Sequence, residues 1–209
     1  MEENNSGAIG GRKWNFARRF VHVLLSIGVL YYWLPDPLMP GFPKWFLLVI
    51  GLAIIAFIEI LRFGMKIKLP WTRPYEEGRL AGHTYSAVGA VIVFLIAPME
   101  IGTPAIIAMA WADPIAGEVR KRTGRREIGW LACGISYAII AGIVVFLIVP
   151  WRDVGSMGLL VAIMTITAVF SEEIGQKYLD DDFTMLVLPT AVAMIYWVIL
   201  LDRLLIVTP

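Results

Sequence analysis

Asp113 has the clearest capacity for chemistry in this chain, because it follows directly on the apolar run AIIAMAWA at 105–112. A carboxylate at the edge of such a run is costly to bury, which marks it as a functional candidate. The competing reading is a plain turn, since Pro114 lacks a backbone N–H and disfavours helix at the residue before it. Ala116 and Gly117 keep the neighbourhood small enough for a ligand to approach the backbone. The stretch GEVRKRTGRREIG follows, with Arg120, Lys121, Arg122, Arg125 and Arg126 crowded around Gly124. Read as a loop, these basic groups could clamp a triphosphate; read blandly, they are an orientation signal or a lipid-headgroup patch. Glu59 and Arg62 stand three apart at the end of an apolar run, on one side of a helix, where they can pair. The segment RPYEEGRLAGHTYSAVGA brings Arg73, Glu76, Glu77, Arg79 and Tyr85. The run LDDDFT brings Asp180, Asp181 and Asp182, either a solvated acidic turn or a metal-binding edge. Carboxylates among many basic groups suit a metal–phosphate ligand: acids hold Mg²⁺, and basic groups hold phosphate oxygens. His22 and His83 read as packing residues near helix ends. No His/Cys spacing suggests zinc, and no Walker-type loop is present.

These residues need a frame, and the composition supplies it. Of 209 residues 58% are hydrophobic, and mean hydropathy is +0.73, more than a soluble domain carries. The fold class that follows is all-α, a polytopic membrane bundle of about seven helices. Its spans fall at 20–34, 45–61, 82–97, 101–117, 129–149, 157–170 and 183–207. The fourth and sixth are short for a crossing. Residues 1–17 read as a flexible polar tail and 18–209 as a single transmembrane domain. The first apolar run reads as a retained span and not a cleaved signal peptide, because no small-residue cleavage site follows it. The lone Cys133 excludes an intrachain disulfide and reads as a small packing residue. A net charge of +1 gives no reason to expect a nucleic-acid partner.

Of the 18 basic residues, 15 fall on alternate segments that include the N-terminal one, and 3 fall on the others. The positive-inside rule then puts the N-terminus in the cytoplasm and, with an odd number of spans, the C-terminus outside. The same folding gathers most carboxylates on the cytoplasmic side, which the rule does not require.

Taken in order, RRFVH, IEILR, RPYEEGRLAGHTY, WADPIAGEV and DDDFTMLVLP resemble the integral-membrane CTP-dependent lipid kinases. That family contains dolichol, polyprenol, phytol and diacylglycerol kinases and is similar to phosphatidate cytidylyltransferases. The resemblance runs from about residue 18 to 189. The family's nucleotide motif has the form D-x-x-A-x-x-x-G-x-x-x-G, here matched by Asp113, Ala116 and Gly124. Arg120 stands at the first of the two glycines, and 125–129 replaces a lysine-containing stretch, so the loop is shortened. The resemblance implies phosphoryl transfer from CTP, with Mg²⁺, to a membrane lipid alcohol at the cytoplasmic surface. It implies Asp113 as metal ligand or base, with Glu59, Glu76 and Glu77 in support. Arg120, Lys121, Arg122, Arg125 and Arg126 would hold phosphates beside Ala116, Gly117 and Gly124, and Asp181 and Asp182 would be metal partners. A CDP-lipid synthase is the nearest alternative. A transporter fits less well, because transporters place polar groups near the midplane.

Overall fold

The structure is a computed structural model that describes residues 9–149 and 153–207. The regular structure of the described residues is helical, with no strand: α1 (Arg12–Leu24), a 3-10 helix (Leu25–Trp33), α2 (Trp45–Gly64), a 3-10 turn (Pro74–Glu76), α3 (Gly82–Ile96), α4 (Met99–Thr123), α5 (Arg126–Ile148), α6 (Val154–Tyr178) and α7 (Asp181–Val207). Four of them, α2, α5, α6 and α7, contain stretches long and apolar enough to cross a membrane, and α3 is a shorter apolar helix. The expected residues 1–8, the segment around Arg152 and the side chains from 200 onward lie outside what is described.

α4 is the axis of the bundle. Ile101, Ala105, Ala108, Met109, Ala112 and Ala116 are fully buried, and α5, α7, α1 and the first 3-10 helix pack around it. Small side chains at these positions let neighbouring backbones come close, as in helix packing within bilayers. At Gly102 a β-carbon would overlap the Tyr32 hydroxyl oxygen, so any larger residue there would displace that ring. α6 and α7 pack on each other, α3 leans on α7, and α2 touches the bundle through α3. The outer faces carry large apolar side chains, among them Phe57 and Ile60 on α2, Leu131 and Ile139 on α5, and Phe170 on α6. Surfaces of this kind suit a hydrocarbon solvent.

Three features differ from the sequence expectations. First, Pro114 does not end the helix: α4 runs on through Asp113 and Pro114 to Thr123. Proline removes only the bond to the Ala110 carbonyl, and tight packing on several sides holds the rest of the helix. The run expected as the fourth span therefore lies in a 25-residue helix, as does the one expected as the sixth. Second, the helix begins at Arg12, inside the segment read as a flexible tail. Ile9 and Gly10 donate backbone hydrogen bonds to the Thr72 and Pro70 carbonyls, and Trp14 packs on Trp71 at 5.8 Å. Third, residues 25–33 form a 3-10 helix. Nine residues at about 2.0 Å rise reach about 18 Å, against about 13.5 Å as α-helix, so a short apolar run is stretched. Phe94 of α3 anchors it between Tyr31 and Tyr32, with ring centres 4.9 and 5.4 Å away.

α1 is amphipathic, with its polar side turned inward. Phe16, Phe20 and Val21 are exposed, while Arg18, Arg19 and His22 face the bundle. That inversion is what a helix needs when lipid is outside and charged partners are inside.

Candidate active site

The charged side chains that meet between different segments do so at one end of the bundle. At its centre, His22 of α1, Asp113 of α4 and Asp182 of α7 converge, their nearest ligand atoms all within 4.8 Å of one another. His22 Nε2 lies 3.9 Å from Asp113 Oδ2 and 3.8 Å from Asp182 Oδ1, and 3.1 Å from Met109 Sδ. The Ser86 hydroxyl of α3 lies 3.0 Å from both Asp182 Oδ2 and the Gly82 carbonyl, two acceptors for its single proton. Asp180, Asp181 and Asp182 form a second acidic group around Asp182. Asp180 is buried, and its Oδ1 accepts the Asp182 backbone N–H at 3.1 Å, in the manner of a helix cap. Burial, with Asp182 and Asp181 beside it, pushes the Asp180 carboxyl up to about 8.

Gly82 sits where these acids meet. A β-carbon there would lie 3.4 Å from Glu76 Oε1, 3.5 Å from Asp182 Oδ2 and 3.9 Å from Asp180 Oδ2. Glu76 is itself buried and accepts the backbone N–H groups of Arg73 at 2.9 Å and Gly82 at 3.3 Å. The facing cations come from outside the 120–126 cluster. Arg18 lies in electrostatic range of Arg73, Asp182, Asp113 and Glu76. Arg73 also acts on Asp180 and Asp182, and Arg79 Nη2 is 4.0 Å from Asp180 Oδ2.

Asp113, Asp182 and Glu76 thus come together, with Asp181 beside them. The others are placed differently. Glu59 is buried in an ion pair with Arg62 at 2.6 Å, and its other oxygen accepts from Thr84 Oγ1 at 3.0 Å. Glu77 is exposed and pairs with Lys68 at 2.7 Å. The 117–129 stretch is a helical hairpin, not a phosphate loop. α4 ends at Gly124, which takes the left-handed conformation at φ 65°, and α5 starts two residues later. Its basic side chains therefore fan around helix ends. Arg120 pairs with buried Glu172, Arg122 bonds Glu118 at 2.8 Å, and Arg126 reaches Glu173 at 2.9 Å and lies over the Trp130 ring. Lys121 and Arg125 are exposed. Ala116 is buried and Gly117 half-buried on α4, with the Arg19 guanidinium near Gly117.

Sequence reasoning missed Arg18, His22 and Glu172. The first two stand four apart, hence on one helix face, and that spacing was a usable signal. Glu172 gives none, because only the tertiary packing of α6, against α5 and α7, brings it to Arg120.

The donor set suits a hard divalent cation. Two carboxylates from different helices supply oxygens of the kind Mg²⁺ prefers, and Asp180 and Asp181 place further carboxyl groups nearby. Fold and site together define an all-helical chain, compatible with a membrane protein, that carries a mixed acid–base centre at one end. No family model, no curated protein and no solved structure matches this chain.

Proposed function

We propose that the protein is a membrane lipid kinase that transfers the terminal phosphoryl group of CTP to a polyprenol- or dolichol-type alcohol. The bundle spans the bilayer about seven times, with its N-terminus and the acidic centre on the cytoplasmic side, as the basic-residue asymmetry favours. The observation that carries this reading is the convergence of His22, Asp113 and Asp182 beside Arg18 and Arg73. All five come from the sequence segments that resemble the lipid kinases.

Phosphoryl transfer demands positioning and charge neutralisation more than covalent chemistry. Asp113 and Asp182 would hold Mg²⁺, which when bound neutralises charge on the phosphate oxygens. Arg18, Arg73 and Arg79 face the same space and can receive phosphate oxygens, with Arg125 and Lys121 at the rim. The lipid hydroxyl oxygen bonds to the terminal phosphorus as the bridging P–O bond breaks and CDP leaves. The hydroxyl proton passes to a carboxylate of the centre that does not hold the metal. A centre at the bundle's end lets a soluble nucleotide meet an alcohol that stays in the lipid.

The test is incubation of purified protein with CTP or ATP labelled at the terminal phosphate, Mg²⁺ and a panel of lipid alcohols and lipid phosphates, with products identified by mass. A phosphorylated alcohol supports the kinase. A CDP-lipid with pyrophosphate release replaces it with the synthase, and no product from any pair rejects both.

A further inference from the structure

The connection between α2 and α3 carries Arg73, Glu76 and Arg79 to the acidic centre, yet its only regular structure is the three-residue 3-10 turn Pro74–Glu76. Something else must fix its position. Arg62, 6% exposed near the end of α2, is built to do so. Its Nε and Nη2 donate to Glu59 Oε2 at 3.0 and 2.6 Å. Its Nη1 donates to the Glu76 carbonyl at 2.8 Å, and Nη2 to the Arg79 carbonyl at 2.5 Å. One planar guanidinium therefore joins a helix to both ends of the Glu76–Arg79 turn. Glu59 turns the fork toward the connection, and its second oxygen is held by Thr84 of α3.

A buried ion pair is weak evidence for stability, because desolvation offsets the attraction. Its geometry is informative here, since two of the three N–H groups not directed at Glu59 meet backbone carbonyls and not side chains. The clamp thus sets the path of the chain whatever side chains stand at 76 and 79. Those side chains, and that of Arg73, are what approach the acids.

We propose that Arg62 is a positioning residue: by holding the carbonyls of Glu76 and Arg79 it places the cations Arg73 and Arg79 against the Asp180–Asp182 carboxylates. Their role toward phosphate rests on the kinase reading; the clamp itself does not. A distinctive sign follows. Cations placed beside the acids weaken divalent-metal binding and strengthen nucleotide binding. Loosening the clamp should therefore move the two affinities apart, whereas general loss of structure would lower both.

The experiment compares wild type with Arg62→Lys, whose ammonium keeps the charge but lacks the planar fork. A second variant, Glu59→Met with Arg62→Met, removes the ion pair as a unit and fills its space, in case lysine is not accommodated. Amide hydrogen exchange over 73–81 is read together with Mn²⁺ binding and the KM for CTP and ATP. We expect exchange over 73–81 to rise about tenfold while α4–α7 stay protected, Mn²⁺ binding to hold or tighten, and the nucleotide KM to rise about tenfold. In an Arg79→Ala background, Arg62→Lys should add less to KM than it does alone. Unchanged exchange over 73–81 in both variants overturns the clamp. Parallel loss of Mn²⁺ and nucleotide binding with exposure of α4–α7 overturns it in favour of a purely structural pair. A wild type that neither binds Mn²⁺ nor uses either nucleotide rejects the kinase reading, and the exchange comparison still decides the clamp.

Discussion

Replacing Asp113 by asparagine should stabilise the metal-free protein while abolishing its chemistry. The side chain keeps its size and loses one charge. Asp113 and Asp182 present oxygens within 4.8 Å of each other, and at an effective dielectric near 20 two such charges repel by about 3.5 kcal/mol. Arg18, in electrostatic range of both carboxylates, offsets most of this, leaving about 1 kcal/mol of relief when the charge is removed. In EDTA the variant should melt about 2–4 °C above wild type, read from the intrinsic fluorescence of the tryptophans in detergent. Magnesium reverses the order. At ten times its Kd it adds about 1.4 kcal/mol to wild type and little to a variant missing one of its two carboxylate ligands. Turnover should fall about 10²–10³-fold, the cost of losing a central electrostatic group. The crossing of the two melting orders is the signature. A variant less stable than wild type in EDTA, or stabilised by Mg²⁺ as much as wild type is, or keeping more than a tenth of its turnover, would refute the reasoning.

Three further outcomes follow. In EDTA the protein should lose stability as pH rises from about 4 to about 8. The folded state holds a proton on Asp180 up to about 8 while the unfolded chain releases it near the ordinary carboxylate value, so the folded state binds more protons in that window. Urea unfolding at several pH values checks this, and Asp180→Asn should flatten the slope. Arg125 is exposed beside Gly124, and Arg125→Ala should raise the nucleotide KM about three- to tenfold with normal insertion; an unchanged KM returns that arginine to an orientation signal. For topology, Glu127→Cys should be shielded from an impermeant maleimide in intact cells and Met39→Cys labelled, against a low background because Cys133 is buried. Labelling of both, or of Glu127→Cys alone, removes the cytoplasmic placement of the centre.

The sequence alone determined the helical character and the rough place of each helix, because hydrocarbon requires backbone bonds to close within a segment and long apolar runs can meet that demand only as helix. It also carried the Glu59–Arg62 pair, since three-residue spacing on a helix is local geometry. Asp113 stood out too, as a charge ending an apolar run. Tertiary structure decided the rest. Whether Pro114 breaks a helix depends on what packs around it, and α4 is enclosed. Whether basic residues form one clamp depends on the backbone between them. In 120–126 a single left-handed glycine joins two helices, and successive side chains diverge by about 100°. Most of all, His22, Asp113 and Asp182 are far apart in the chain and share no periodicity. Their meeting is fixed by the crossing of α1, α4 and α7, a long-range property that local pattern does not encode.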